Sequence, residues 1–130
     1  MPMERGSFGM IHADFHPGNL LFHKGEVRAL DFELCGWGYY LYDIAVMLSV
    51  LVGRHPNYET LRSGFIEGYG GARVLSGNWA ETVDMFIAAR KMIRSLWLAE
   101  QIGRPAWEGA ESRVKQEIDY VHSYLRNRTG

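Results

Sequence analysis

The feature of this 130-residue sequence that most constrains its fold is a polar loop enclosed by apolar segments. Residues 12–19 read H-A-D-F-H-P-G-N and contain two of the five histidines of the chain. The Pro-Gly pair at 17–18 excludes a continuous helix here, because proline lacks a backbone donor and glycine is conformationally free. We therefore predict a loop over residues 14–19 that contains functional side chains and that the rest of the chain holds in place.

Two apolar segments directly after this loop predict a β-hairpin. The segments L-L-F and V-R-A-L-D-F flank a short turn, H-K-G-E, and a turn containing glycine between such segments is typical of a hairpin. If Phe22 faces Val27 across the turn, Asn19 lies within one residue of Asp31. The hairpin should then bring a carboxamide and a carboxylate to the same place.

The rest of the chain has the periodicity of about four helices. Residues 41–52 are apolar almost throughout, which is typical of a buried helix, and their one charge, Asp43, needs hydrogen-bond partners. Further helices are predicted from Tyr58 to the glycines at 70–71, from a cap at Ser76–Asn78 to about residue 103, and over roughly 107–126. For the long third helix we expect a buried stripe of Trp79, Val83, Phe86, Ile87, Ile93 and Trp97, with Arg90, Lys91 and Arg94 exposed.

These elements predict an α+β fold, predominantly α, with one β-hairpin followed by about four helices. A chain of 130 residues has room for a single domain over 1–130. Its 14 basic and 15 acidic side chains leave no field that favours nucleic acid or an anionic membrane. The lone Cys35 excludes an internal disulfide, and the N-terminus lacks a signal-like apolar run, so we expect a cytoplasmic protein.

Three side chains around the loop suit phosphoryl transfer. Such a reaction aligns a hydroxyl with a terminal phosphate and neutralises the phosphate charge with Mg²⁺. Magnesium prefers a few oxygen ligands from protein and takes the others from water and phosphates. Asn19 and Asp31 supply that oxygen chemistry, and Asp14 would orient the substrate hydroxyl and accept its proton.

The motif H-A-D-F-H-P-G-N-L-L, followed by L-D-F and Y-D-I-A, is similar to the catalytic core of the aminoglycoside phosphotransferase family. That family also includes choline-kinase-like and homoserine-kinase-like enzymes and is a branch of the protein-kinase-like fold. The resemblance is dense over residues 10–46 and only architectural beyond. It implies a kinase that moves the γ-phosphate of ATP or GTP, as the magnesium complex, onto a hydroxyl of a small-molecule substrate.

The resemblance also implies a role for each matched position. Asp14 matches the catalytic base, Asn19 and Asp31 match the magnesium ligands, His12 matches a residue that braces the loop, and Asp43 matches an aspartate that holds the loop backbone from the following helix. His16 and Glu33 are possible further contacts to substrate, phosphate or metal.

The sequence departs from the family in lacking anything that could be its N-terminal nucleotide lobe. Only nine residues precede the motif's apolar entry at Met10, and the three lysines of the chain all follow the motif. We therefore expect a C-terminal, catalytic-loop lobe alone, from a fragment or a naturally shortened protein. Such a lobe should expose apolar surface and either self-associate or bind a partner that covers this surface.

Two other interpretations stay open at this point. His12, Asp14 and His16 alternate along the chain and could bind zinc if this stretch were a strand. The second alternative is a kinase lobe kept for binding or assembly without catalysis, although such a module has no physical need for Asp14, Asn19 and Asp31 together.

Overall fold

The structure, a computed structural model, describes residues 3–75 and 77–129. The predicted fold class is confirmed: the chain is mainly helical, with a small hairpin and four helices. The strands and helices, in order, are β1 (Phe8–Ile11), β2 (Leu20–His23), β3 (Glu26–Ala29), β4 (Gly36–Tyr39), α1 (Tyr40–Leu51), α2 (Tyr58–Ala72), α3 (Trp79–Gln101) and α4 (Ala110–Thr129), with one-turn 3₁₀ helices at Pro17–Asn19 and Pro105–Trp107.

The hairpin of β2 and β3 has the predicted register, with Phe22 opposite Val27. Its turn consists of Lys24 and Gly25, whose φ angles of +47° and +80° are both positive. Two positive φ angles define the turn whose twist matches that of the flanking strands, and glycine adopts them at no steric cost. The turn therefore fixes which residues lie opposite each other at the far end of the hairpin, next to the loop.

A second antiparallel pairing, between β1 and β4, joins two segments for which the sequence analysis predicted no strand. The register places Gly9 opposite Gly38. A Cβ atom at Gly9 would collide with the ring of Tyr40, and one at Gly38 with Ile11. The glycines thus permit close packing here instead of marking a loop. Met1 and Pro2 lie outside the described residues.

By its internal contacts the chain divides into two compact units, residues 1–86 and 87–130. The core of the first unit is centred on α1, which packs against β1, β4 and α2. As predicted, this helix is buried almost all round: Leu41 and every residue from 44 to 49 are buried. A helix this apolar supplies a rigid base for the loop that precedes it.

The second unit contains most of α3 together with α4. Trp97 packs edge-to-face on Trp107, with ring centroids 4.7 Å apart. Two parts of the predicted stripe are wrong, since Ile93 and Trp97 are 52% and 44% exposed. Lys91, predicted to be exposed, is buried instead, and its Nζ donates to Glu117 Oε2 at 2.8 Å.

Buried residues therefore recur every three or four positions along α3, at Val83, Ile87, Lys91, Ser95 and Leu98. Two of these side chains, Lys91 and Ser95, are polar. The predicted cap residue Ser76 lies outside the described residues. Among the helices that the structure describes, none is both long and apolar enough to cross a membrane.

Candidate functional site

The loop over residues 12–19 is attached to α1 by one carboxylate. Asp43, in the first turn of α1, accepts the backbone N–H of His12 on Oδ2 and that of Ala13 on Oδ1, both at 2.8 Å. A carboxylate is also favourable in a first helical turn because the helix dipole is positive there. Both oxygens of Asp43 therefore hold the loop backbone just before Asp14.

The backbone at Ala13 has a φ of +67°. A non-glycine residue in this left-handed region costs energy and persists only where neighbouring contacts enforce the conformation. The hydrogen bond from Ala13 N–H to Asp43 is one such contact. The chain is thereby turned sharply at the residue before Asp14.

His12 connects the loop to the end of the hairpin. Its ring is buried, and Nε2 donates to the backbone carbonyl of Leu30 at 2.8 Å while Nδ1 accepts the backbone N–H of Asp14 at 3.3 Å. This pattern assigns the neutral ring its proton on Nε2. The ring also lies against Phe32, with centroids 4.7 Å apart. His12 is thus placed to brace the loop.

The zinc alternative is not supported by this geometry. Both ring nitrogens of His12 are used by backbone groups, and Nδ1 of His16 accepts the N–H of Gly18. Within residues 3–75 and 77–129 there is no group of three or more His, Cys, Asp or Glu side chains that could hold a metal ion. The stretch is also a loop and not the strand that this alternative requires.

Asp14 and Asn19 lie together inside the loop. Asn19 is 9% exposed, and its Nδ2 donates to the backbone carbonyl of Asp14 at 3.0 Å and to Asp14 Oδ2 at 3.3 Å. Because the amide nitrogen faces Asp14, the amide oxygen Oδ1 is the atom with which Asn19 can bind a cation. The Asp14 side chain is itself only 21% exposed.

Asp31 is brought beside Asn19 by the hairpin. The backbone N–H of Leu30 donates to the carbonyl of Asn19 at 2.9 Å, which extends the pairing of β2 and β3 by one step. Asp31 follows directly, is exposed and has a φ of +62°. Glu33 is exposed in the turn that comes next, closed by Cys35 N–H on the carbonyl of Phe32.

Behind the loop lies a cleft of about 430 Å³ that the sequence analysis did not anticipate. It is lined largely by rings, and α2 contributes Phe65 and Tyr69 at helical spacing. Burial raises the pKa of Tyr69, the nearby Asp43 carboxylate raises it further, and Arg73 opposes both. The signal in the sequence is the helical spacing of Phe65 and Tyr69 in α2.

The contribution of Asp43 to stability can be measured by substitution. In Asp43→Asn one of the two backbone N–H groups would face an N–H₂ group instead of an acceptor, so we expect the free energy of unfolding to fall by about 1–3 kcal/mol. The matched control is Asp84→Asn, which removes the half-exposed ion pair with Arg62 and should cost at most about 1 kcal/mol. Chemical denaturation measures both. Equal losses in the two variants would contradict this account of Asp43.

A loop with the pattern H-x-D-x-x-x-x-N, followed by a hairpin, a further aspartate and a carboxylate from the next helix that holds the loop backbone, is typical of kinase-like phosphotransferases. The family model described as "Phosphotransferase enzyme family" matches residues 1–82. The chain therefore belongs to the phosphotransferase enzyme family, and the resemblance seen in the sequence is confirmed.

Individual relatives agree with this assignment. The chain is 28% identical over 101 residues to an amicoumacin kinase of Bacillus subtilis, and 37% identical over 71 residues to a homoserine kinase of Neisseria meningitidis. These alignments cover 72% and 52% of this chain, but only 30% and 23% of the relatives. The chain thus spans about a quarter to a third of the length of these curated relatives.

A solved structure shares the fold. An amicoumacin kinase in complex with AMP-PNP, Ca²⁺ and Ami superposes with a TM-score of 0.78 at 23% sequence identity. The match covers 95% of this chain and 40% of that protein. The fold of this chain is therefore that of part of a kinase-like enzyme.

Proposed function

We propose that this chain supplies the catalytic-loop lobe of a small-molecule kinase, which transfers the γ-phosphate of ATP or GTP to a substrate hydroxyl. The observation that carries the proposal is the juxtaposition of Asp14, Asn19 and Asp31. Asn19 contacts Asp14 through its amide nitrogen, and Asp31 directly follows Leu30, whose N–H donates to the Asn19 carbonyl. Family membership supports kinase chemistry in general. The proposal includes a cytoplasmic location, because ATP is available there.

Asp14 is the proposed catalytic base. It would accept a hydrogen bond from the substrate hydroxyl, align this group with the γ-phosphate and take its proton as the new bond forms. Its surroundings suit this role, because the amide of Asn19 holds one carboxylate oxygen and the backbone at Ala13 sets the direction of the side chain. Most of the catalytic effect would come from this alignment.

Asn19 and Asp31 are the proposed magnesium ligands. An amide oxygen and an exposed carboxylate are the hard oxygen donors that Mg²⁺ prefers, and two protein ligands suffice where phosphates and water complete the shell. When bound, the ion would neutralise charge on the nucleotide phosphates. Glu33, exposed two residues after Asp31, is a proposed additional acidic contact at the same edge.

His12 and Asp43 are proposed to support the loop without touching substrate. His12 holds the Asp14 backbone from one side and the Leu30 carbonyl from the other, and Asp43 holds the two preceding backbone N–H groups. Together they fix the loop relative to the hairpin and α1. This is how a site placed on a loop can keep the precision that phosphoryl transfer requires.

The direct test is transfer of radiolabelled phosphate from [γ-³²P]ATP to a defined acceptor. Homoserine and amicoumacin, taken from the names of the two kinases above, are the first probes. We expect labelled product that depends on Mg²⁺ and on the acceptor. A folded chain that transfers nothing, also when a complementary nucleotide lobe is supplied, would favour the alternative of a non-catalytic binding or assembly module.

We further propose that the apolar surface around the two sheets is covered by other polypeptide. Among the described residues, six large apolar side chains on or between the strands of the two sheets are each more than half exposed: Met10, Phe22, Val27, Phe32, Leu34 and Trp37. Surfaces of this kind usually mark an interaction site. The occupant would be a nucleotide-binding lobe or, in its absence, a second copy of the chain.

Self-association of the chain is therefore an expected result. In sedimentation velocity at tens of micromolar, the mass should rise with concentration, and Phe22→Lys should reduce this rise because it places a charge among the exposed apolar groups. Val74→Lys is the control, since Val74 is exposed but belongs to neither sheet. A monomer at every concentration would argue against a second copy as occupant.

A further inference from the structure

His16 begins the 3₁₀ turn in the middle of the loop. Its Nδ1 accepts the backbone N–H of Gly18 at 3.1 Å, so the ring caps the turn formed by Pro17–Asn19. A nitrogen that accepts a hydrogen bond carries no proton, and the neutral ring therefore has its proton on Nε2. The cap thus decides which edge of the ring is the donor.

The position of this ring is also fixed sterically. A Cβ atom at Gly18 would lie 2.9 Å from Cε1 and 3.0 Å from Nδ1 of His16. Real Cβ atoms do not come this close to ring atoms, so the ring can lie flat against the backbone only because residue 18 is glycine. Gly18 and His16 therefore form one packed unit.

The donor edge of the ring faces Asp14. Nε2 of His16 lies 3.4 Å from Asp14 Oδ2, and the two side chains are 28% and 21% exposed. The same oxygen accepts from Nδ2 of Asn19 at 3.3 Å. One oxygen of Asp14 thus accepts a hydrogen bond from Asn19 at the end of the loop and faces the ring nitrogen of His16 in its middle.

We propose that His16 is a positioning residue for Asp14, which it orients through its Nε2–H instead of contacting phosphate, substrate or metal. Both ring nitrogens are engaged inside the loop, one with Gly18 and one toward Asp14. A carboxylate oxygen that is hydrogen-bonded by Asn19 and faces Nε2–H of His16 is kept in one direction. The catalytic part of this inference rests on the proposed function.

The chain contains its own control for this geometry. His55 also precedes a proline, and its Nδ1 accepts the backbone N–H of Asn57 at 3.1 Å, the same local turn as at His16. No ion pair of His55 with a carboxylate is found among the described residues. Variants at His55 therefore remove the same kind of turn without affecting Asp14.

The kinetic test compares two substitutions of His16. Asparagine can keep the acceptor for Gly18 N–H but cannot reach Asp14, whereas glutamine can place an N–H donor near the position of Nε2. In Mg²⁺–ATP hydrolysis with water as acceptor, we expect His16→Asn to lower kcat about tenfold with KM for ATP unchanged, since the contact of Nε2 with the Asp14 carboxylate is lost.

His16→Gln should recover most of this loss, and His55→Asn should have no effect. Gly18→Ala should lower kcat like His16→Asn, because its methyl group displaces an otherwise intact ring. A His16→Asn variant as active as His55→Asn, or a His16→Gln variant no better than His16→Asn, would overturn the inference.

A second readout does not need turnover. In ¹⁵N NMR at about pH 8, where an ordinary histidine is neutral, His16 should carry its proton on Nε2, and Asp14→Ala should shift the Nε2 resonance of His16 but not that of His55. A proton on Nδ1, or an unchanged His16 resonance, in an active protein overturns this inference alone. A chain that neither binds nor hydrolyses Mg²⁺–ATP overturns the proposed function and the catalytic role of His16 with it.

Discussion

Asp14→Asn should abolish most phosphoryl transfer while leaving the loop folded. A general base contributes about 10²–10⁴-fold to the rate of such a reaction, and an amide cannot take the proton of the substrate hydroxyl. The loop should survive, because the amide oxygen of the new side chain can accept from Asn19 as Oδ2 does now. We therefore expect kcat to fall by this factor and the affinity for Mg²⁺–ATP to change little.

Phosphate transfer from [γ-³²P]ATP measures kcat, and calorimetry measures the affinity for Mg²⁺–ATP. Asp119→Asn is the control, since this aspartate is exposed on α4 and far along the sequence from the loop. An Asp14→Asn variant that keeps most of its kcat would exclude Asp14 as the base. A variant that loses nucleotide binding to the same degree would instead assign Asp14 to the metal or nucleotide.

Glu117→Leu should cause the largest loss of stability of any single substitution considered for this chain, about 3–5 kcal/mol. Glu117 is 1% exposed, and its Oε2 lies 2.8 Å from Nζ of Lys91, while its Oε1 lies 3.7 Å from Nε of Arg94. Lys91 is similarly buried, with a side chain that is 4% exposed. Removal of the carboxylate leaves a buried ammonium group without its counter-charge, and this is the costly case.

The double variant Lys91→Met/Glu117→Leu separates charge from packing. Replacing both partners of a buried pair by apolar groups of similar size is often neutral, so we expect the double variant to unfold within about 1 kcal/mol of the unaltered chain. Arg94, 25% exposed, can turn to water. Denaturant titration measures the free energy of unfolding of the single and the double variant. A double variant as unstable as Glu117→Leu would show that shape, and not charge pairing, determines the loss.

The hairpin illustrates what the sequence could predict. Its turn needs two residues with positive φ, and Gly25 marks one of these positions, so the register and the approach of Asn19 to Asp31 along the backbone could be obtained by counting residues. The buried helix α1 could be predicted equally well, because an apolar segment of that length is typical of a buried helix. Both results depend on interactions between near neighbours in sequence.

Features that depend on distant segments could not be predicted. β1 and β4 pair across about 30 residues, and their glycines, which look like loop signals, are needed for close packing against Tyr40 and Ile11. Lys91 looked like an exposed charge because its partner Glu117 lies on another helix. The sequence pattern of one helix does not show which residue of another helix is its partner.

The loop itself falls between these cases. The residue types at positions 14, 19 and 31 indicated the chemistry, but the left-handed backbone at Ala13 has no signal in the sequence, since alanine does not favour it. Likewise, His16 was considered only as a possible ligand contact. Its role toward Asp14 became visible when the ring was seen to cap the turn at Gly18.

Calorimetric titration of Mg²⁺–ATP into the chain measures whether this loop and hairpin form the proposed magnesium–nucleotide site. We predict saturable binding that requires Mg²⁺, is weakened at least about tenfold in Asp31→Asn through loss of a charged ligand, and persists in Asp119→Asn. Absence of binding by a well-folded chain, or equal binding by Asp31→Asn, would contradict the account.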